Sequence, residues 1–271
     1  MNLYQLSSKI DNSKGFTNFT FSRTEYDREY VNGTEIDTYD STSNTYILTN
    51  TLLKSNFDVT PGIEYEYFDG SFNNRGSYNA SVDVDGENVG YFVNGNMMAS
   101  DKLLVSAGVR QDDPSLFGKY TTYRLGGTYD ISGALKLKSN YATSVKTPTL
   151  YEMHGSDNYG YSNASGTSNR HGAEIKFNSL ISDNVYWRNS ATFTVAEDNN
   201  GTSVVRRPKW LGLTAIDHKK DSWTNTVEYL HTGSHLDIDS VTYARTMKPA
   251  VGVVNLHTSK VINEKSDVVL S

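Results

Sequence analysis

The sequence has no cysteine, only 5 prolines and no long apolar run in its 271 residues. Without cysteine there is no disulfide scaffold and no Cys-based zinc site. No stretch approaches the roughly 18 apolar residues that a membrane helix needs, so a bilayer could be crossed only by strands. Hydrophobic residues make up 37% and the mean hydropathy is −0.55, so a membrane face would have to be hidden in every second residue. The net charge is −6 and no basic stripe appears, which argues against nucleic acid as a partner. The histidines (His154, His171, His218, His231, His235 and His257) lack zinc spacing. No Ser-His-Asp order and no paired-carboxylate site stands out, so the chain is not expected to be an enzyme. The start, Met1-Asn-Leu-Tyr-Gln-Leu6, has neither a basic n-region nor an apolar h-region. For an exported chain, that points to a fragment or a displaced start.

What the sequence does have is tyrosine, with 19 copies against 10 Phe and 3 Trp, and long stretches of alternation. A ring with one apolar and one wet end suits a membrane–water boundary. Composition alone leaves a tyrosine-rich soluble sandwich equally open. Alternation is clearest between Tyr120 and Gly155. Tyr123, Leu125, Gly127, Tyr129 and Ile131 alternate with Thr122, Arg124, Gly126, Thr128 and Asp130. Leu135, Leu137, Ser139 and Tyr141 alternate with Lys136, Lys138 and Asn140. A period of two puts one set on each face of a sheet. Each run is about ten residues, against about five or six for a soluble strand, and about nine to eleven tilted residues cross a bilayer.

The same pattern recurs along the chain. Ile63, Tyr65 and Tyr67 alternate with Glu64 and Glu66; Ala173, Ile175 and Phe177 alternate with Glu174, Lys176 and Asn178. Val185, Trp187, Ala191, Phe193 and Val195 alternate with Tyr186, Arg188, Ser190, Thr192 and Thr194. A Lys or Arg on a lipid face costs about 2–4 kcal/mol at mid-depth. Arg110, Arg124, Lys136, Lys138 and Lys176, with Glu64, Glu66 and Glu174, are therefore assigned to the lumen, where cross-strand pairing is the simplest use for them. Asn189 and Asn225 interrupt apolar faces. Tyr46–Leu53 and Val251–Thr258 leave room for a bulge or a one-residue slip.

Fourteen strands are expected, near 2–10, 16–27, 44–55, 58–69, 87–99, 102–112, 119–131, 134–144, 170–181, 184–196, 208–217, 222–232, 248–260 and 266–271. Short links rich in Asn, Asp, Ser and Gly (Asp11–Gly15, Ser55–Asp58, Ser100–Lys102, Ile131–Ala134, Ile181–Asn184, Asp217–Ser222, Ile262–Asp267) suit tight turns. They alternate with longer links near 28–43, 70–86, 112–119, 145–169, 197–207 and 233–247. Bacterial barrels sort short periplasmic turns from long extracellular loops in this way. The fold class is therefore all-β, a transmembrane antiparallel up-and-down β-barrel, with one barrel domain over 1–271.

Three stretches carry a resemblance: Val105-Ser-Ala-Gly-Val-Arg-Gln-Asp-Asp113, Gly118-Lys-Tyr-Thr-Thr-Tyr-Arg-Leu-Gly-Gly127 and Asn140-Tyr-Ala-Thr-Ser-Val-Lys-Thr-Pro-Thr-Leu-Tyr-Glu152. With Arg206-Arg-Pro-Lys209 downstream, their order resembles the barrel of TonB-dependent outer-membrane receptors, most of all the vitamin B12 (cobalamin) receptor group. The resemblance implies a 22-stranded barrel in the bacterial outer membrane, bedded in lipid and filled by a plug domain. It also implies uptake of a scarce complex, cobalamin or a ferric siderophore, with energy from TonB passed through that plug. No plug or TonB box is seen, about seven or eight strands precede Met1 in the family pattern, and Ser271 falls within a late strand. After Gly155 the family's Asn-Pro-x-Leu-x-Pro-Glu step gives way to Ser156-Asp-Asn-Tyr-Gly-Tyr-Ser-Asn163.

The outer loop Lys146–Arg170 carries Tyr151, His154, Tyr159 and Tyr161, rings that could stack on a large ligand or pack in the loop itself. Asp83-Val-Asp-Gly-Glu87 has the oxygen content of a calcium loop but reads equally as an Asp-Gly hairpin turn, and no cofactor is expected. The competing readings are a porin-like or structural barrel without energy coupling, a soluble β-sandwich, and an outer-membrane hydrolase. If 271 residues were the whole molecule, the first and last strands would leave exposed, aggregation-prone edges.

Overall fold

The computed structural model describes residues 1–33, 35–74, 81–149, 166–263 and 266–270. The strands are β1 (Asn2–Asn12), β2 (Gly15–Asn32), β3 (Glu35–Leu53), β4 (Phe57–Asn74), β5 (Ser81–Ser100), β6 (Leu103–Pro114), β7 (Tyr120–Ser132) and β8 (Leu135–Lys146). They continue with β9 (Ser168–Ser182), β10 (Val185–Asp198), β11 (Trp210–Lys220), β12 (Trp223–Thr232), β13 (His235–Ile238), β14 (Arg245–Lys248), β15 (Val251–Asn263) and β16 (Ser266–Leu270). Fourteen of them form one sheet in which each strand lies beside its neighbour in sequence, from β1 to β12 and then β15 and β16. The pairings are antiparallel, as in β1–β2, β2–β3 and β11–β12. No helix occurs among the described residues. The fold is the all-β, antiparallel up-and-down arrangement expected from the alternation.

The structure departs from the expected strand limits where links were read as long. Residues 28–43 are not a loop: β2 and β3 pair without a break from Gly15↔Leu52 to Asn32↔Glu35. β4 runs to Asn74 and β5 begins at Ser81, so most of 70–86 is strand as well. The Asp-Gly turn read at Asp83–Glu87 is likewise strand within β5. The 233–247 link contains the small hairpin β13–β14. Local Asp, Asn, Ser and Gly content favours turns, but here an in-register partner on the next strand outweighs it.

The two doubtful registers are clean. β3 holds one register against β2 and one against β4, so Tyr46, Leu48 and Leu52 share a face and Ile47 lies on the other. β12 and β15 pair evenly from Trp223↔Lys260 to Thr232↔Val251. Irregularities fall elsewhere, between Asp130 and Ser132 and between Val261 and Asn263.

The chain divides into two compact units: 1–96, 107–123 and 145–168 form one; 97–106, 124–144 and 169–271 form the other. Among the described residues neither shows an apolar core. Among the described residues the only buried hydrophobics are Ala196 and Ala215, and no large side chain is fully buried. The apolar residues lie instead on an exposed face. In the first unit Phe21, Tyr46 and Tyr65 line up across β2, β3 and β4 with ring centroids 5.0 and 6.3 Å apart. In the second, Phe177 meets Trp187 at 5.4 Å, and Ile216, Val227 and Leu256 continue the row across β11, β12 and β15. Leu256 is 65% exposed, whereas Asp112, on the opposite kind of face, is 4% exposed.

Candidate functional site

The polar face of the first unit is organised around Arg110 on β6. Its Nε donates to both carboxylate oxygens of Asp112 at 2.9 Å. Nη1 and Nη2 donate to Glu64 on β4 at 3.2 and 3.0 Å. Asn88 on β5 donates to Asp112 at 3.0 Å. The guanidinium also lies 5.6 Å from the Phe92 ring centre, a cation–π distance. Nearby, Glu66 accepts from Ser43 Oγ at 2.7 Å.

The second unit repeats the theme. Arg188 donates two bonds to Asp217, at 2.6 and 3.1 Å, and Thr226 donates a third at 2.7 Å. Asn255 donates to Glu228 at 3.2 Å. Glu174 pairs with Lys176 at 3.0 Å and accepts from Asn140 at 3.1 Å. These charges are only partly buried, and each is paired or hydrogen-bonded, which offsets the cost of the water it loses.

The structure thus brings Glu64 and Arg110 together, and Glu174 and Lys176 together. Lys136 reaches Asp130 at 3.8 Å through solvent-exposed side chains. Lys138 and Arg124 are exposed opposite Thr128 and Ala142. Tyr151, His154, Tyr159 and Tyr161 lie outside the described residues. Asp112, Asn88, Arg188 and Asp217 were missed as site residues. Arg110 and Asp112 are two apart, hence on one face of a strand, and that signal was available in the sequence. Asp217, nearly thirty residues from Arg188, carried none. Among the described residues no group of three or more His, Cys, Asp or Glu is placed to hold a metal.

Polar groups on the apolar face bond across strands, although Asn189 Nδ2 is buried with no partner. Asn50 donates to Thr17 at 2.8 Å, and the facing Thr214 donates to Asn189 at 2.7 Å. Thr258 donates to the facing Asn225. The indole of Trp187 donates to Thr214 at 3.0 Å. In hydrocarbon an unsatisfied polar group is costly, so internal pairing is what that environment requires.

At the long-link end of the first unit, a cavity of about 300 Å³ opens between β4, β5, the end of β6 with the link that follows, the start of β7 and residues 147–149.

Outside the sheet, Arg206 adopts a left-handed backbone (φ 58°). Its N–H donates to Leu236 O at 2.7 Å, and its Nε donates to Asp237 at 2.7 Å. That guanidinium, with the Ile238 amide, holds the Asp237 carboxyl below the usual carboxylate range. Asp239 is also held low, by the amides of Thr242 and Val241.

An exposed apolar face, an ion-paired polar face and consecutive antiparallel strands define the wall of a membrane β-barrel. The chain belongs to the TonB dependent receptor-like, beta-barrel family, whose model matches residues 2–159. It is similar to the ferric enterobactin receptor of Pseudomonas aeruginosa (TM-score 0.64, 12% identity, 97% of this chain and 54% of that one). The copper transporter OprC (0.61, 8% identity, 97% and 56%) and the ferric yersiniabactin uptake receptor FyuA of Yersinia pestis (0.56, 12% identity, 98% and 54%) are similar too. The chain spans about half the length of these structures. Curated proteins give no significant match to the sequence.

Proposed function

We propose that residues 1–271 form barrel wall of a bacterial outer-membrane receptor that imports a scarce nutrient complex of the cobalamin or ferric-siderophore class with TonB-derived energy. One observation carries this reading: in a chain of this receptor family, the apolar side chains are exposed and the ionic ones are paired on the other face. The polar face is then the lumen, with Glu64, Glu66, Arg110, Arg124, Lys136, Lys138, Glu174 and Lys176 on it. The apolar face meets lipid. The long-link end is extracellular, so Tyr151, His154, Tyr159 and Tyr161 fall where a ligand arrives. Coupling to TonB runs through a plug domain, and neither cofactor nor catalysis is needed. The motifs over Val105–Glu152 favour cobalamin, while the ligands of the structural relatives, ferric complexes and copper, favour metal uptake.

The test is uptake of labelled cyanocobalamin and ferric siderophores by cells with the gene intact or disrupted, with and without a protonophore. Saturable, protonophore-sensitive uptake of one complex, lost on disruption, is expected. Uptake that depends on the gene but is unsaturable and insensitive to the protonophore would instead establish a porin-like diffusion barrel.

A further inference from the structure

The hairpin β13–β14 stands outside the main sheet and has two unlike sides. Its register puts His235, Lys248, Asp237 and Thr246 on one side, and Leu236, Met247, Ile238 and Arg245 on the other. The first side is pinned to the link before β11. Arg206 Nε donates to Asp237 at 2.7 Å, and the Arg206 amide donates to Leu236 O at 2.7 Å. The second side is open, with Ile238, Met247 and Arg245 exposed. The tip is a fixed turn. Asp239 Oδ1 accepts from the amides of Val241 and Thr242 at 3.0 and 2.8 Å, and Tyr243 N donates to Asp239 O at 2.9 Å. That turn holds Val241 at 83% exposure, the highest of the large apolar side chains among the described residues. Tyr243, 63% exposed, has a left-handed backbone (φ 55°), which is costly for a bulky residue.

An apolar strip displayed on a strained, pre-ordered turn calls for something to cover it. Lipid is the cover that is continuous with it. Trp210 ends the apolar face of β11, and its backbone O accepts from Gly233 N at 2.8 Å. The hairpin begins two residues further on, at His235. Two extended residues span about 7 Å, about the thickness of one headgroup layer. Arg245 stands beside Ile238 and Met247, the mixture of apolar side chains and a cation that suits a headgroup–acyl boundary. Arg207 and Lys209, exposed between Arg206 and Trp210, add cations that a lipid phosphate can pair. Because the tip is already ordered, docking it costs little conformational entropy.

We propose that β13–β14 is an interfacial anchor: its Ile238–Met247 side and its Val241–Tyr243 tip lie in the headgroup layer of the outer leaflet, with Arg245 on a lipid phosphate. This rests on the membrane reading above. Residues 1–271 contain no cysteine, so single cysteines can be introduced and labelled with an environment-sensitive fluorophore. The full gene product is reconstituted in vesicles of phosphatidylcholine and phosphatidylglycerol. Labels are placed in turn at Val241→Cys, Met247→Cys, Asn200→Cys in the exposed turn after β10, and Val227→Cys on the apolar face of β12. The Val241 and Met247 labels should emit to the blue of the Asn200 label and lose about half of their intensity to a lipid spin-labelled at its headgroup. Aqueous iodide should quench the Asn200 label at least twofold more than either of them. Arg245→Gln should reduce the headgroup quenching at Met247, and unchanged quenching there would strike out the phosphate contact. Hairpin labels that iodide quenches as strongly as the Asn200 label overturn the anchor alone, provided that the Val227 label answers to a lipid spin-labelled at the acyl-chain centre. If the Val227 label also answers only to iodide, the membrane reading itself fails.

Discussion

Arg110 is one cation held between two carboxylates, and the three side chains keep only 28% (Arg110), 23% (Glu64) and 6% (Asp112) exposure. Removing the guanidinium leaves Glu64 and Asp112 without their partner in a half-dry site. Breaking a buried pair costs about 3–5 kcal/mol, and with a quarter of Arg110 and Glu64 open to solvent, Arg110→Ala should cost about 2–4 kcal/mol. Urea unfolding of the refolded barrel measures it. The triple change Arg110→Met, Glu64→Gln and Asp112→Asn should recover most of the loss, because no charge is then stranded. An unchanged midpoint in Arg110→Ala would mean that solvent screens the triad. The Arg206–Asp237 clasp yields a pH dependence with a definite sign. The Asp237 carboxyl is held low in the folded protein, chiefly by Arg206. Its contribution is therefore complete above the ordinary Asp value of about 3.9 and disappears as pH falls through the lower folded value. Exchange of the Arg206 amide, bonded to Leu236 O, should keep its protection from pH 7 to about 5 and lose it only below about 4. Loss already near pH 6 would assign the clasp to another group. Opposite charges two apart, as at Lys9–Asp11, Arg23–Glu25, Arg110–Asp112 and Glu174–Lys176, were legible in the sequence and do pair. Glu64 was legible as a polar-face residue but not as the partner of Arg110, since period-two patterning gives a face and not a neighbour.

At the scale of elements, the alternation located strands well where both faces had contrasting residues, as in β4 and β10. It failed in Arg28–Ser43, where Asp, Thr, Ser and Asn dominate and no apolar face announces a strand. What holds that segment is pairing on both sides: β3 is bonded to β2 along its whole length and to β4 from Asp37↔Asn74 onward. A central strand of this kind can have every amide bonded, so Asp37–Asn44 should exchange hydrogen at least tenfold more slowly than the 54–56 turn. Mass-spectrometric exchange in detergent reads this directly. Exchange of 37–44 as fast as that turn would return the segment to a loop. The cavity was illegible for a related reason. It is assembled from β4, β5, the end of β6 with the link that follows, the start of β7 and residues 147–149, pieces whose adjacency comes from strand order and from the Ser115–Glu87 bonds, neither of which has a local signal.

At the scale of the molecule, what distinguishes this chain is where its apolar surface lies. A water-soluble sheet buries that surface; here it is exposed in both units, and lipid is the solvent that makes such an arrangement stable. The three tryptophans, all on the apolar face of the second unit, make this measurable. Trp210 begins β11, and Trp223 lies opposite Lys220 at the other end of the same strand. Ten residues at about 3.3 Å, tilted by about 40°, separate the two levels by about 25 Å, the height of a barrel's apolar band. They should therefore mark its two boundaries. Trp187 lies opposite Ile216, four residues in from Lys220, which places it within the band. Its indole N–H, bonded to Thr214 Oγ1, suits that depth. Single-Trp variants in bilayers containing lipids brominated at different depths should separate these positions. Trp187 should be quenched most by bromine near the acyl-chain centre, and Trp210 and Trp223 by bromine near the headgroups. If all three answer instead to aqueous iodide and ignore the lipid labels, the exposed apolar face is not a lipid face, and the membrane reading falls with it.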